Sequence, residues 1–127
     1  CLARTHADGR VLAGETLQQA VVRCFERETS LAVPTDKFEL VNTQNFFWKT
    51  RQQPPRHIGC HDINFVFFVE LGAKSLALAA QKLDPKEYYQ TLGLREFSRR
   101  ELIREKAHPA LIESYDRILP VRLISAL

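Results

Sequence analysis

The sequence has no apolar run approaching the roughly 18 residues that a membrane-spanning helix needs. Its longest candidate, INFVFFVEL over 63–71, is strand-length and carries Asn64 and Glu70, so a membrane span is excluded. A disulfide framework is also missing: Cys1, Cys24 and Cys60 are odd in number and widely spaced. That pattern suits reduced thiols and points to an intracellular setting, cytoplasmic or mitochondrial. A strong excess of either charge is absent too. The balance of 18 Lys and Arg against 15 Asp and Glu leaves +3, too little to argue nucleic-acid binding by itself, although it permits an anionic ligand. There is no internal repeat and no low-complexity tract.

What is present is an ordinary globular composition, 45% hydrophobic and 26% charged over 127 residues. This predicts one small domain over 1–127 with a core of modest size. The first residue is Cys1 rather than a methionine, and an N-terminally incomplete record of a longer protein is the expectation.

Thr16 followed by Gln19 has capping-box spacing, and Leu17, Ala20, Val21, Cys24, Phe25 and Leu31 recur near the helical period. A helix over about 16–30 is predicted, barred from continuing by Pro34. FELVN at 38–42 and NFFWKT at 45–50 read as extended, and RQQPPRHIGCHD at 51–62 as a loop between strands. In INFVFFVEL both alternating faces are partly apolar, which predicts a central strand covered on two sides. KSLALAAQKL at 74–83 fits either a short helix or an excursion between strands, and 84–97 reads as a turn with a short extended piece. Ser98 with Glu101 marks another capped helix, and HPALIESYDRILP a further one, opening at Pro109 and stopped by Pro120. This order predicts an α+β fold or a layered mixed sheet.

Within GRVLAGETLQQAVVRCFERETSL, Gly9, Glu15 and Arg23 stand at the spacing glycine, five residues, glutamate, seven residues, arginine, with Phe25, Glu28 and Leu31 following. The stretch resembles the Nudix box, a loop, helix and loop whose helix-face carboxylates hold magnesium against a diphosphate. The resemblance implies a Nudix-like α/β/α sandwich with a mixed sheet and Mg2+ or Mn2+ as cofactor. It also implies that Glu15 and Arg23 brace the box. Residues three and four apart share a helix face, so such a set can converge on one ion with hard oxygen ligands. The three glutamates of the family pattern fall on Cys24, Arg27 and Glu28, and only Glu28 is retained. About three negative charges become about zero for a thiol at its reference pKa. Cys24 is a soft ligand, and Arg27 is suited to meet phosphate directly. Ser30 replaces the final glycine.

The GDP-mannose mannosyl hydrolase branch is similar in having a reduced box. HDINFVFFVEL and GLREFSRREL extend the likeness, so that it covers residues 9 to about 105. By that resemblance the metal site comprises Glu28, the Gly9 carbonyl and Gln90, while the branch's general-base histidine falls on Thr91, whose hydroxyl is a poor base. His57 and His61, placed in the 51–62 loop, are the alternative bases, His61 being the choice. Cys60, His61 and Asp62 lack the spacing of a zinc site. Of the run Phe46, Phe47 and Trp48, Trp48 is the candidate platform for a nucleobase. Arg51 and Arg56, with Arg27, are candidates for gripping phosphate, and Arg99 and Arg100 are weaker ones.

Nudix domains place two or three strands ahead of the box, so those strands are expected either upstream of Cys1 or from a protein partner. The first expectation for function is hydrolysis of a nucleoside diphosphate linked to another group, such as GDP-mannose. The alternative is a catalytically degenerate Nudix-fold subunit binding RNA or RNA 5′ phosphates in an RNA-processing or ribosomal complex. Between them lies a pyrophosphohydrolase acting on RNA 5′ ends.

Overall fold

The computed structural model describes residues 9–83 and 94–125. Its elements are α1 (Leu17–Thr29), a single 3-10 turn (Thr35–Lys37), β1 (Glu39–Trp48), β2 (Cys60–Phe68), α2 (Ala73–Gln81), α3 (Arg99–Arg104) and α4 (Pro109–Ser125). The class is α+β. Among the described residues the sheet is one antiparallel pair, β1 with β2, rather than a larger mixed sheet. No helix among them is long and apolar enough to cross a membrane. The chain divides into two compact units. One takes the residues up to 39 with 68–107, the other 40–67 with the segment from 108 onward.

The first unit is built on α1. Thr16 and Gln19 form the expected capping box: the Gln19 N–H donates to Thr16 Oγ1 at 3.2 Å and the Thr16 N–H to Gln19 Oε1 at 2.8 Å. Two otherwise unpaired backbone donors are satisfied reciprocally. Ala20, Cys24 and Phe25 on this helix are buried, as are Leu31, Phe38, Ala79, Leu83 and Leu102. Phe25 meets Phe38 edge to face, 5.4 Å between ring centres and 73° between planes, an arrangement ring quadrupoles favour. Burying each phenyl group contributes about 1.5–3 kcal/mol. Thr29 Oγ1 donates to the Phe25 carbonyl at 2.7 Å, which lets a hydroxyl lie in this interior. In α3 the Ser98–Glu101 capping box forms as expected, with reciprocal bonds of 2.7 and 3.3 Å.

The second unit is the β1–β2 hairpin with α4. Gln44 Nε2 donates to the Ala110 carbonyl at 2.7 Å and to Ser114 Oγ at 3.3 Å, and Phe46 lies 6.1 Å from the His108 ring. The even-numbered face of β1 near its end therefore packs on the start of α4. Gly59 closes the hairpin, for a Cβ there would lie 2.2 Å from the Trp48 carbonyl oxygen.

Four expectations change. The two extended pieces at 38–42 and 45–50 are one strand, continuous through Thr43 and Gln44. The loop ends at Gly59, so His61 and Asp62 belong to β2 rather than to the loop. β2 is not a strand covered on both sides: Ile63 is 52% exposed and Phe65 40%, so among the described residues nothing buries the face they share. Finally, α4 continues through Pro120 to Ser125. A proline removes one donor and crowds one carbonyl, a cost that a helix already established over three turns can absorb. The open question at 74–83 resolves as helix α2, and the expected turn and extended piece over 84–93 lie outside the described residues.

α1 ends with Ser30 in the left-handed region, φ 57° and ψ 22°, its N–H donating to the Glu26 carbonyl. A Cβ in this region costs roughly 1–2 kcal/mol, which glycine avoids. The exposed Ser30 side chain makes no compensating contact among the described residues. Ser30→Gly is therefore expected to raise the unfolding free energy by about 1 kcal/mol, read as a shift in urea midpoint at constant m-value.

Candidate functional site

The segment from Gly9 to Ser30 forms a loop, a helix and a cap. Gly14 takes φ +83° in a turn closed by the Glu15 N–H donating to the Leu12 carbonyl at 3.1 Å, a backbone state that favours glycine. The turn brings Glu15 over α1, where Arg23 grips it with two bonds: Nε to Oε1 at 2.7 Å and Nη2 to Oε2 at 2.9 Å. The same Nη2 donates to the Arg10 carbonyl at 2.8 Å, and the Leu12 N–H to Glu15 Oε2 at 2.9 Å. A forked guanidinium and a carboxylate match in shape as well as charge. The hydrogen bond from Arg23, aided by that from the Leu12 N–H, holds the Glu15 carboxyl at a pKa of about 2, against an ordinary value of 4.5.

This lacing draws the loop so close to the helix that a Cβ on Gly9 would fall 1.7 Å from Cys24 Sγ. Only a residue without a side chain fits. Cys24 itself is 2% exposed.

Glu28, the retained acidic residue of the pattern, is wholly enclosed, with 0% exposure. One of its oxygens lies 3.2 Å from Arg27 Nη2, whose side chain remains 44% exposed. An open groove of about 470 Å³ runs along the outer face of α1, lined by Gln19, Val22, Arg23, Glu26, Arg27 and Thr35. Glu28 is not part of that lining. Both arginines in it already face a carboxylate, Arg23 that of Glu15 and Arg27 that of Glu28.

Arg99 and Arg100 open α3 in the first unit, whereas Trp48, Arg51, Arg56 and His61 belong to the hairpin unit. Trp48 is 52% exposed and donates its indole N–H to Asp62 at 2.6 Å. Arg51 is occupied with its own loop, donating to the carbonyls of Gln53, Pro54 and Pro55 at 3.0–3.1 Å, whereas Arg56 is exposed and makes no side-chain bond or ion pair among the described residues. His61 Nε2 lies 2.7 Å from Asn45 Oδ1, and its ring stacks on Phe47 at 4.3 Å and 20°. Gln90 and Thr91 lie outside the described residues. The structure thus brings Gly9, Glu15 and Arg23 together, sets Arg27 on Glu28, and places Trp48, Arg51, Arg56 and His61 in the other unit.

Among the described residues no group of three or more His, Cys, Asp or Glu side chains could hold a metal ion, and the Cys60, His61 and Asp62 run is no exception. Phe47 is the residue the sequence undervalued. It is 77% exposed, and its partnership with His61 depends on a cross-strand register that no local signal announces.

No family model matches this chain, nor does any curated protein or solved structure.

Two outcomes follow from the loop geometry. Gly9→Ala is expected to destabilise the fold by about 1–3 kcal/mol through overpacking against Cys24, with much of the loss restored in the Gly9→Ala, Cys24→Ala double variant, as measured by urea unfolding. The lowered pKa of Glu15 means that its stabilising effect is complete above pH 4.5 and is lost as pH falls toward about 2. Wild type should therefore exceed Glu15→Gln in urea midpoint at neutral pH, and the gap should close across that acid window.

Proposed function

We propose that this chain is a catalytically degenerate Nudix-type domain that binds RNA, rather than a metal-dependent hydrolase of a nucleotide sugar. One observation carries the reading: the single retained carboxylate of the box pattern, Glu28, is fully enclosed and faces the Arg27 guanidinium. A divalent ion bound with a diphosphate needs carboxylate oxygens at an open surface with room for phosphate and water. Here a fixed cation stands beside the one carboxylate the pattern retains, the neighbouring ligand position is the buried soft thiol of Cys24, and Gly9 sits directly against that thiol. These donors do not fit magnesium, and no catalytic step is assigned to a metal.

The bracing of loop on helix by Glu15 and Arg23 supports the family reading independently of any chemistry. The box then serves as scaffold. The hairpin supports RNA as the ligand: its end, residues 45–62, carries Lys49, Arg51 and Arg56 against Asp62 alone, beside exposed aromatic rings. A basic surface interleaved with rings offers both contacts that single strands use, phosphate attraction and base stacking.

The test combines turnover and binding on the same preparation. With GDP-mannose and Mg2+ or Mn2+ the expected product release equals the protein-free blank, and neither metal shifts Tm. A labelled single-stranded RNA should bind with unchanged affinity in EDTA. Metal-dependent turnover lost in Glu28→Gln would instead establish the hydrolase, and absence of RNA binding at low salt would remove the present reading.

A further inference from the structure

We infer that one face of the β1–β2 hairpin is a stacking platform for unpaired RNA bases, centred on the Phe47–His61 ring pair, with Lys49 and Arg56 taking the adjoining phosphates. The inference rests on the RNA-binding reading above and adds which residues do it and which form of RNA they accept.

The two faces of the hairpin differ. Phe46 and Trp48 stack on one another at 6.1 Å and 14° on the face that also bears the contacts to α4, through His108 to Phe46 and through Gln44 to Ala110 and Ser114. The Trp48 indole on that side is further fixed by Asp62. Successive strand residues point to opposite faces, so Phe47 lies on the other side with Asn45, and across the strand pair with His61. Among the described residues that side makes none of these contacts to α4. Trp48 is thus the more engaged ring and Phe47 the more available one.

Phe47 is also prearranged. Its ring is held parallel to the imidazole of His61, and His61 is held in turn by Asn45. Both rings stand on paired strands, so little side-chain freedom is lost when a base extends the stack. Each nucleobase offers a flat π-face, so stacking on an aromatic side chain adds to phosphate attraction whatever the base. Ile63, 52% exposed, and Phe65, 40% exposed, alternate onto the same side as His61 and continue the apolar strip along β2.

Charge decides what covers this strip. An apolar protein surface would suit the rings but not the loop beside them, where Lys49 and Arg56 are exposed and have no ion-pair partner among the described residues. The one carboxylate within residues 45–62, Asp62, lies on the opposite face and accepts the Trp48 indole N–H. Arg51, held to three loop carbonyls, adds its charge while keeping the loop in shape. A polyanion with exposed flat groups satisfies both halves of the surface. A duplex hides its base faces, whereas unpaired RNA is commonly read by stacking on Phe, His and similar rings.

The full chain should be titrated with a fluorescein-labelled single-stranded RNA of about ten nucleotides, following anisotropy. Trp48, the only tryptophan, reports on the hairpin in parallel. Phe47→Ala is expected to weaken binding about tenfold or more, with Phe47→Tyr restoring most of it. Lys49→Ala with Arg56→Ala should reduce the slope of log Kd against log salt by about 1.4, near 0.7 for each phosphate of a single strand that the variant leaves unneutralised. Circular dichroism should be unchanged in Phe47→Ala, since the ring is largely in solvent. RNA bound equally well by wild type and Phe47→Ala would overturn the platform while leaving RNA binding standing. Duplex RNA bound as tightly as the single strand would do the same. Tighter binding of single-stranded DNA of the same sequence would overturn the assignment to RNA, and no binding of any strand would remove both readings.

Discussion

The two-pronged contact between Arg23 and Glu15 is the constraint on which the loop–helix segment depends. Spanning eight positions in sequence, it ties the Gly9–Glu15 loop to α1 at a distance neither element would choose alone. The bonds to the Arg10 carbonyl and from the Leu12 N–H extend the same clasp to the backbone. Its consequence is steric: the loop descends until Gly9 meets Cys24 with no room for a Cβ. A small residue at 24 and none at 9 are therefore two halves of one packing solution. A longer acidic side chain at 24 would have to leave this contact.

Electrostatics then shape the rest of the helix face. Burying a carboxylate without a polar partner is costly, and the Arg27 guanidinium lies 3.2 Å from Glu28 while the Arg27 side chain stays 44% exposed. Both arginines along the α1 groove are thereby committed to acids, and the groove presents charges that are largely answered within the protein. At the hairpin loop, Lys49 and Arg56 are exposed and have no ion-pair partner among the described residues. The Gly9–Ser30 segment thus holds its own unit together, while on the hairpin exposed aromatic rings stand on the same 45–62 stretch as Lys49 and Arg56.

The parts of the structure that sequence made readable are those governed by neighbours within one helical turn or one tight turn. Thr16 with Gln19 and Ser98 with Glu101 announce helix starts because each box is closed by bonds across three residues. Glu15 and Arg23 were readable for a different reason, as fixed positions of the box pattern, and their contact is as expected from it. Ser30 closes α1 with a left-handed backbone, a state that glycine enters without strain. By contrast, the apolar content of β2 suggested cover on both faces, but periodicity reports which residues share a face and not whether another layer lies against it. Pro120 misled as a stop signal because a proline constrains one bond and one carbonyl, while the length of α4 depends on the whole helix.

Sequence by itself determined the capped helices and the alternation that parts Phe47 from Phe46 and Trp48, and it offered the pairing of Glu15 with Arg23 only through a resemblance. Only the tertiary structure decided that Glu28 is enclosed beside Arg27, that His61 stands on a strand against Phe47, and that the β2 face lies open. The reason is physical: hydrogen-bond spacing along a helix or strand is set by local geometry, whereas burial and cross-strand partners depend on residues far away in the chain, whose positions no short pattern encodes.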